Sequence, residues 1–219
     1  MPRKPFQMCS ASPYHLSARS NGRDWFAVEI SQVWEIMSNY LHFTHHAFNV
    51  RIHAFVLMSN HFHLIASFPD GNLSQASEYF MRETSRSIAR ESGRINHVYG
   101  ARIFRSRLGS RHYFEHTYKY VYRNPISAGL CTAVENYDFS TLRGLIGNDR
   151  LTIPVDDDCL LFDKADSAIS SIHYCLGWLN TPPDQENHDA VRRALRNPDF
   201  RLPKQKSSRR RHRLEQERL

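Results

Sequence analysis

The sequence lacks any long uninterrupted apolar stretch. Within its 219 residues, no window approaches the run of about 18 apolar residues that a transmembrane helix needs. The opening segment Met1-Pro2-Arg3-Lys4-Pro5 is basic, but no apolar segment follows it, which is not the pattern of a secretory signal. From these two absences we expect a cytoplasmic protein that does not engage a membrane.

Cysteine is scarce as well. The four cysteines are widely separated and none forms a CxxC pair; they are Cys9, Cys131, Cys159 and Cys175. Disulfide frameworks and zinc knuckles use closely spaced cysteines. The spacing therefore argues against both and predicts reduced thiols.

Acidic residues are outnumbered by basic ones. The chain has 29 Lys and Arg against 22 Asp and Glu, a formal charge of +7 and a pI of about 9.4. The excess is concentrated in residues 80–124, with ten Lys or Arg against three Glu, and in residues 203–219, with seven against two. Because the first concentration falls inside the predicted folded region, it predicts a polyanionic partner such as nucleic acid.

A pair of histidines stands at the start of a predicted strand. The apolar run 54–58 comes before the sequence His61-Phe62-His63. Side chains alternate along a strand, so both imidazoles share one face while Phe62 enters the core. Two convergent imidazoles can form half of a divalent-metal site. Two ligands do not complete such a site, so a pair of partly buried histidines without a ligand is the alternative.

The spacing of apolar residues predicts the order of strands and helices. Period-two alternation favours strands, and spacing at three and four favours helices. The predicted order is strand 13–19, helix 28–48, strand 51–58, strand 61–68, helix 73–92, strand 101–108 and helix 111–122. The order βαββαβ is typical of a ferredoxin-like α+β fold, an antiparallel sheet with helices on one face, followed here by an additional helix.

That additional helix is rich in tyrosine and is predicted to end before Asn124-Pro125, since proline disfavours helix in the residue before it. Tyr120 and Asn124 are four residues apart and share a helix face. An amide oxygen suits Mg²⁺ or Mn²⁺ as a third ligand, and a tyrosine beside the ion could act as an oxygen nucleophile. The alternative is that the tyrosines are core and surface aromatics of an amphipathic helix; they are Tyr113, Tyr118, Tyr120 and Tyr122.

Two segments resemble a known family when they are taken together. His61-Phe62-His63 resembles the His-hydrophobic-His signature of HUH nucleases. The segment 120–130, YVYRNPISAGL, resembles the Y-x-x-x-N-P-x-x-A-G segment of REP-associated tyrosine transposases, relatives of bacterial insertion-sequence transposases that act on single-stranded DNA. Further similar segments bring the resemblance to roughly residues 1–147; they are 1–5, 14–19, 53–60 and 104–107.

The resemblance implies an activity and its residues. Tyr120 would be the nucleophile, and His61, His63 and Asn124 would hold Mg²⁺ or Mn²⁺. The expected activity is that of a single-stranded DNA endonuclease and strand transferase, acting on hairpin-forming repeat DNA through a 5′-phosphotyrosine. No nucleotide cofactor is expected, because attack by a 3′-hydroxyl reverses the reaction, and the protein would be a monomer or homodimer.

Basic residues around this region predict a DNA-binding surface. Arg82, Arg86 and Arg90 recur every four residues and form a stripe on the second predicted helix. Such a band can follow a phosphate backbone; the alternative is a solvated helix face partly neutralised by glutamates. The other predicted contacts are Arg105, Arg107, Lys119 and Arg123, and the resemblance adds Arg19 and Asn21.

Three regions follow from these patterns. We predict a nuclease domain over residues 1–147, a helical extension over 148–202 with helices at 165–179 and 186–196, and a basic, disordered tail over 203–219. Two other functions remain open. One is a domesticated DNA- or RNA-binding protein without catalysis. The other is a zinc hydrolase that uses His61 and His63, although no third His or Cys follows in motif spacing.

Overall fold

The computed structural model describes residues 8–95, 97–150, 152–156, 168–203 and 212–215. Among them, no helix is long and apolar enough to cross a membrane. Single 3₁₀ turns occur at Asn21–Arg23, Val134–Asn136 and Arg213–Glu215. The main elements are β1 (Tyr14–Arg19), α1 (Ile30–Phe48), β2 (Arg51–Met58), β3 (His61–Ser67), α2 (Leu73–Ser92), β4 (Phe104–Arg107), α3 (Arg111–Ser127), α4 (Thr141–Leu145), α5 (Ala168–Asn180) and α6 (Gln185–Ala194).

The four strands form one antiparallel sheet in the order β2-β3-β1-β4. In this order, the two parallel strands of each βαβ unit lie on either side of a third strand, which is antiparallel to both. It is the arrangement of a ferredoxin-like sheet. The α+β fold predicted from the sequence is confirmed.

Strand alternation divides the protein into two packed layers on either side of the sheet. Phe62 and Leu64 of β3 belong to the buried cluster that also contains side chains of α1 and α2. Ile65 lies in a second cluster with Tyr118 and Val121 of α3. The helices α1 and α2 therefore share one face, as predicted, and α3 covers the opposite face.

Helix α3 is one turn longer than the sequence predicts, because it continues through Pro125 to Ser127. A proline has no N–H to donate to the carbonyl four residues earlier, here that of Val121. The side-chain amide of Asn124 donates to the Val121 carbonyl at 3.4 Å and to the Tyr120 carbonyl at 2.8 Å. The Val121 carbonyl, which the proline leaves without a backbone donor, thereby receives a hydrogen bond. Pro125 is therefore tolerated in the last turn.

The described part of the C-terminal extension packs on α3. Leu179 of α5 and Val191 of α6 lie in the same buried cluster as Val121. Arg123 of α3 donates from Nη1 to the carbonyls of Leu179 and Asn180, both at 2.8 Å. Burial of this apolar surface fixes α5 and α6 against the tyrosine helix.

A short piece of the predicted basic tail also contacts α3. The turn Arg213–Glu215 buries Leu214, which is 3% exposed. The Tyr113 hydroxyl donates to the Glu215 carboxylate at 2.7 Å. Leu214 and Glu215 therefore connect this turn to α3. The run Arg209-Arg210-Arg211 lies outside the described residues.

Candidate active site

The two predicted ligand histidines lie together on the face of β3 that meets α3. Their ring centroids are 5.0 Å apart, with planes 81° from each other. Burial lowers the pKa of His61 to about 4 and holds the pKa of His63 well below its ordinary value. Both imidazoles are therefore neutral at pH 7, which is the form that can bind a metal ion.

Tyr120 faces these histidines from α3. Its ring centroid lies 5.8 Å from that of His63, with the planes at 89°. Tyr118 and Tyr122, each 1% exposed, are buried in the core instead. The Tyr122 hydroxyl is hydrogen-bonded to the Thr141 hydroxyl at 2.8 Å. Of these three tyrosines, Tyr120 alone is positioned to reach a group bound at the histidines.

Asn124 lines the same cavity as Tyr120 and the two histidines. Its amide nitrogen donates to the helix carbonyls one turn earlier, so its Oδ1 is the atom left to act as a ligand. Within the described ranges, no group of three or more His, Cys, Asp and Glu side chains is arranged to hold a metal. A cation held by the two histidines would therefore draw its third protein ligand from a group such as this amide oxygen.

A third histidine, which the sequence reasoning missed, supports His63 from β1. His15 Nε2 lies 2.8 Å from His63 Nδ1, and the two rings stack with centroids 5.1 Å apart. Burial lowers the pKa of His15 to about 3, helped by the nearby His61. The signal in the sequence is alternation, since His15 shares a strand face with Ser17 and Arg19. The pairing of β1 with β3 that brings it to His63 is visible only in the fold.

The extension supplies further residues that no sequence motif indicated. The ring of His188 on α6 lies 5.3 Å from that of Tyr120, tilted by 35°. Arg192 and Arg196 line the cavity from the same helix and the residues after it. Burial raises the pKa of Tyr120, while Arg192, Arg196 and Arg19 act in the opposite direction.

The cavity has a volume of about 960 Å³ and a positive lining. Asp189 is its one acidic side chain among the described residues, and it pairs with Arg192 at 3.1 Å. The lining arginines outnumber it; they are Arg19, Arg23, Arg123, Arg192 and Arg196. A positively charged cleft of this kind attracts and orients phosphate groups.

The predicted arginine stripe lies behind the sheet, away from this cavity. Arg82, Arg86 and Arg105 line a second groove of about 1090 Å³ on the face that carries α2. Arg82 and Arg86 both pair with Glu83, at 2.7 and 3.3 Å. Arg90 is 3.9 Å from Glu91. The stripe exists as predicted on the helix, but it forms a surface separate from the histidines.

The remaining predicted DNA contacts divide into two groups. Arg19 lines the cavity, and Asn21 is exposed in the turn after β1. Three others make contacts within the protein. Arg107 pairs with Asp199 at 2.7 Å, the Lys119 ammonium lies 5.1 Å from the Trp178 ring centroid, and Arg123 is 7% exposed and bonded to α5.

Comparison with solved structures found a similar fold. One match has a TM-score of 0.55, with 17% sequence identity over 72% of this chain and 93% of the other. Its fold is that of a REP-associated tyrosine transposase, solved bound to a REP hairpin. No protein-family model matches the sequence, and no curated protein matches it. The likeness to that transposase shows a shared fold.

The neutral histidines predict a specific acid sensitivity of the metal-free protein. The pKa values of His15 and His61, about 3 and about 4 in the fold, lie below the ordinary value of 6.5. Unfolding therefore takes up protons below pH 6.5, so the free energy of unfolding falls as the pH falls from 6.5 toward 4. Urea denaturation in EDTA measures this slope.

The variant His15→Gln separates the contribution of His15 to the pH dependence of the free energy of unfolding from the contribution of the carboxylates. Each such histidine contributes a slope of up to about 1.4 kcal/mol per pH unit. The variant is expected to have a shallower slope between pH 5 and 6.5 by up to that amount. Identical slopes for the two proteins would show that His15 is protonated equally in the folded and unfolded states.

Proposed function

We propose that the protein is a metal-dependent endonuclease and strand transferase for single-stranded DNA, related to the REP-associated tyrosine transposases. One observation carries this proposal. The ring of Tyr120 lies 5.8 Å from that of His63, inside an arginine-lined cavity that also contains His61. A nucleophile, two metal-binding nitrogens and a phosphate-attracting lining therefore meet in one place.

The donors at this site fit a divalent cation. His63 Nε2 is buried without a hydrogen-bond partner, whereas buried polar atoms nearly always have one. Together with His61 and the Asn124 oxygen it makes a mixed nitrogen and oxygen set of the kind that Mn²⁺ or Mg²⁺ accepts. When bound there, the ion would polarise a phosphate oxygen and offset the negative charge that develops on it.

Tyr120 performs the covalent step. Its hydroxyl oxygen attacks the scissile phosphorus, and the bond from phosphorus to the 3′-oxygen of the preceding nucleotide breaks. The phenolic proton passes to solvent and the departing 3′-oxygen takes up a proton. The products are a 5′-phosphotyrosine and a free 3′-hydroxyl. Attack by another 3′-hydroxyl on the phosphotyrosine restores a phosphodiester, so no nucleotide cofactor is needed.

The arginines of the cavity assist through charge. Arg19, Arg192 and Arg196 all act to lower the pKa of Tyr120 against the effect of its burial. Positive groups fixed in advance stabilise both a phenolate and the phosphate that it attacks. The proposed path of the DNA strand that is cleaved therefore runs between β1 and α6.

The groove behind the sheet is proposed as the second part of the DNA-binding surface. Four arginines line it, Arg82, Arg86, Arg102 and Arg105, and guanidinium groups in such a groove can follow a duplex backbone. The related fold was solved with a REP hairpin, which supports hairpin-forming repeat DNA as the substrate. We propose a cytoplasmic protein that acts as a monomer or homodimer.

A second candidate is a domesticated DNA- or RNA-binding protein without catalysis. The packing of Tyr120 between His63 and His188 favours it. Burial raises the pKa of this phenol, and a phenol held neutral is a weaker nucleophile. The two candidates share the binding surfaces and differ in whether a covalent bond forms.

Replacement of Tyr120 by Phe is expected to abolish both cleavage and the covalent protein–DNA adduct, because it removes the attacking oxygen. Binding should remain within about threefold of the unmodified protein, since the ring is kept. The measurement uses an end-labelled hairpin oligonucleotide with single-stranded flanks and Mn²⁺. Denaturing gels report the adduct, and fluorescence anisotropy reports binding.

Tyr122→Phe is the matched control, because it removes a hydroxyl two residues away that is bonded to Thr141. It should keep the adduct and lose about 1 kcal/mol of stability. An adduct formed by Tyr120→Phe would refute the assigned nucleophile. Binding without any adduct from the unmodified protein would support the non-catalytic candidate.

Arg192 and Arg196 give a separate prediction about substrate binding. The double change to Gln is expected to weaken single-stranded DNA binding and to reduce the slope of log affinity against log salt by about 0.7 for each phosphate that is no longer neutralised. Arg193→Gln is the control, since Arg193 is exposed on the same helix and does not line the cavity. Anisotropy titrations from low to moderate salt measure both quantities. A salt slope of the double variant equal to that of the unmodified protein would exclude Arg192 and Arg196 from the DNA path.

A further inference from the structure

Both ligand histidines have their Nδ1 atoms engaged by a neighbouring side chain. His61 Nδ1 lies 2.7 Å from Asn60 Oδ1, and His63 Nδ1 lies 2.8 Å from His15 Nε2. A neutral imidazole carries its proton on only one of its two nitrogens. The partner of Nδ1 therefore decides whether Nε2 presents a lone pair to the cavity.

For His61 the geometry settles the tautomer. The Asn60 amide nitrogen donates to the Arg23 carbonyl at 2.7 Å, which fixes the orientation of that amide. The atom facing His61 is then Oδ1, which can only accept a hydrogen bond. His61 must carry its proton on Nδ1, so its Nε2 holds a lone pair.

For His63 the partner is an imidazole that can donate or accept. His15 is 2% exposed, and its own Nδ1 is buried without a partner, as is His63 Nε2. A cation on His63 Nε2 requires the lone pair there and hence the proton on His63 Nδ1. His15 Nε2 then accepts that proton's hydrogen bond.

We propose that His15 and Asn60 are positioning residues that hold His63 and His61 as Nδ1–H tautomers, with both Nε2 lone pairs directed into the cavity. Hydrogen-bond partners of this kind orient a ligand ring and raise its basicity, and their loss commonly weakens metal binding 10- to 100-fold. The proposal rests on the metal site of the proposed function. Both residues act through the imidazoles that they orient and are not themselves proposed as metal ligands.

The test measures Mn²⁺ affinity by electron paramagnetic resonance, without DNA. His15→Leu removes the acceptor and is expected to weaken binding roughly 10- to 100-fold. His15→Gln places an amide oxygen near the position of Nε2 and should recover affinity to within about threefold. His53→Leu is the control, because His53 is also buried in the sheet but bonds to Ser67 and does not line the cavity.

Long-range ¹H–¹⁵N spectra of the imidazoles provide a readout that needs neither activity nor metal. In the metal-free protein, His61 should show a protonated Nδ1 and an unprotonated Nε2. A protonated Nε2 on His61, or Mn²⁺ affinity in His15→Leu equal to that of the control, would overturn the inference. If the unmodified protein failed to bind Mn²⁺ while His61 showed the expected tautomer, the proposed metal site would fail and the tautomer assignment for Asn60 would stand.

Discussion

The alternation of side chains along β3 is the constraint on which the rest of the structure depends. Phe62 and Leu64 point into the layer formed with α1 and α2, and that burial locks the strand in register. His61 and His63 are consequently held on the other face, opposite α3. A slip of one residue would exchange the two sets, so the same apolar burial that stabilises the sheet also positions the imidazoles.

Much of this architecture could be predicted because it rests on local periodicity. The alternation at 61–66 and the three-and-four spacing at 73–92 each follow from one segment's own residues. The choice of Tyr120 over Tyr118 and Tyr122 rests on the resemblance of residues 120–130 to the transposase segment, and the helix face that Tyr120 shares with Asn124 agrees with it. Pro125 misled the prediction of the helix end, because the Asn124 side chain compensates for the missing N–H.

Other parts of the site depend on contacts between distant segments. His15 reaches His63 only through the pairing of β1 with β3, 48 residues apart in the chain. His188, Arg192 and Arg196 come from an extension whose sequence shows amphipathic helices but not the surface they cover. The spacing of the arginine stripe follows from the sequence of α2 alone. Tertiary packing decides which face of the sheet carries α2, and therefore where the stripe lies relative to the histidines.

The central claim is that Tyr120 and the two histidines form one phosphoryl-transfer centre. Its most direct measurement is mass spectrometry of peptides from the protein after incubation with a hairpin oligonucleotide and Mn²⁺, followed by nuclease digestion. The account predicts a peptide with a nucleotide joined through its 5′-phosphate to Tyr120. A nucleotide on another tyrosine, or DNA cleavage with no modified peptide, would contradict it.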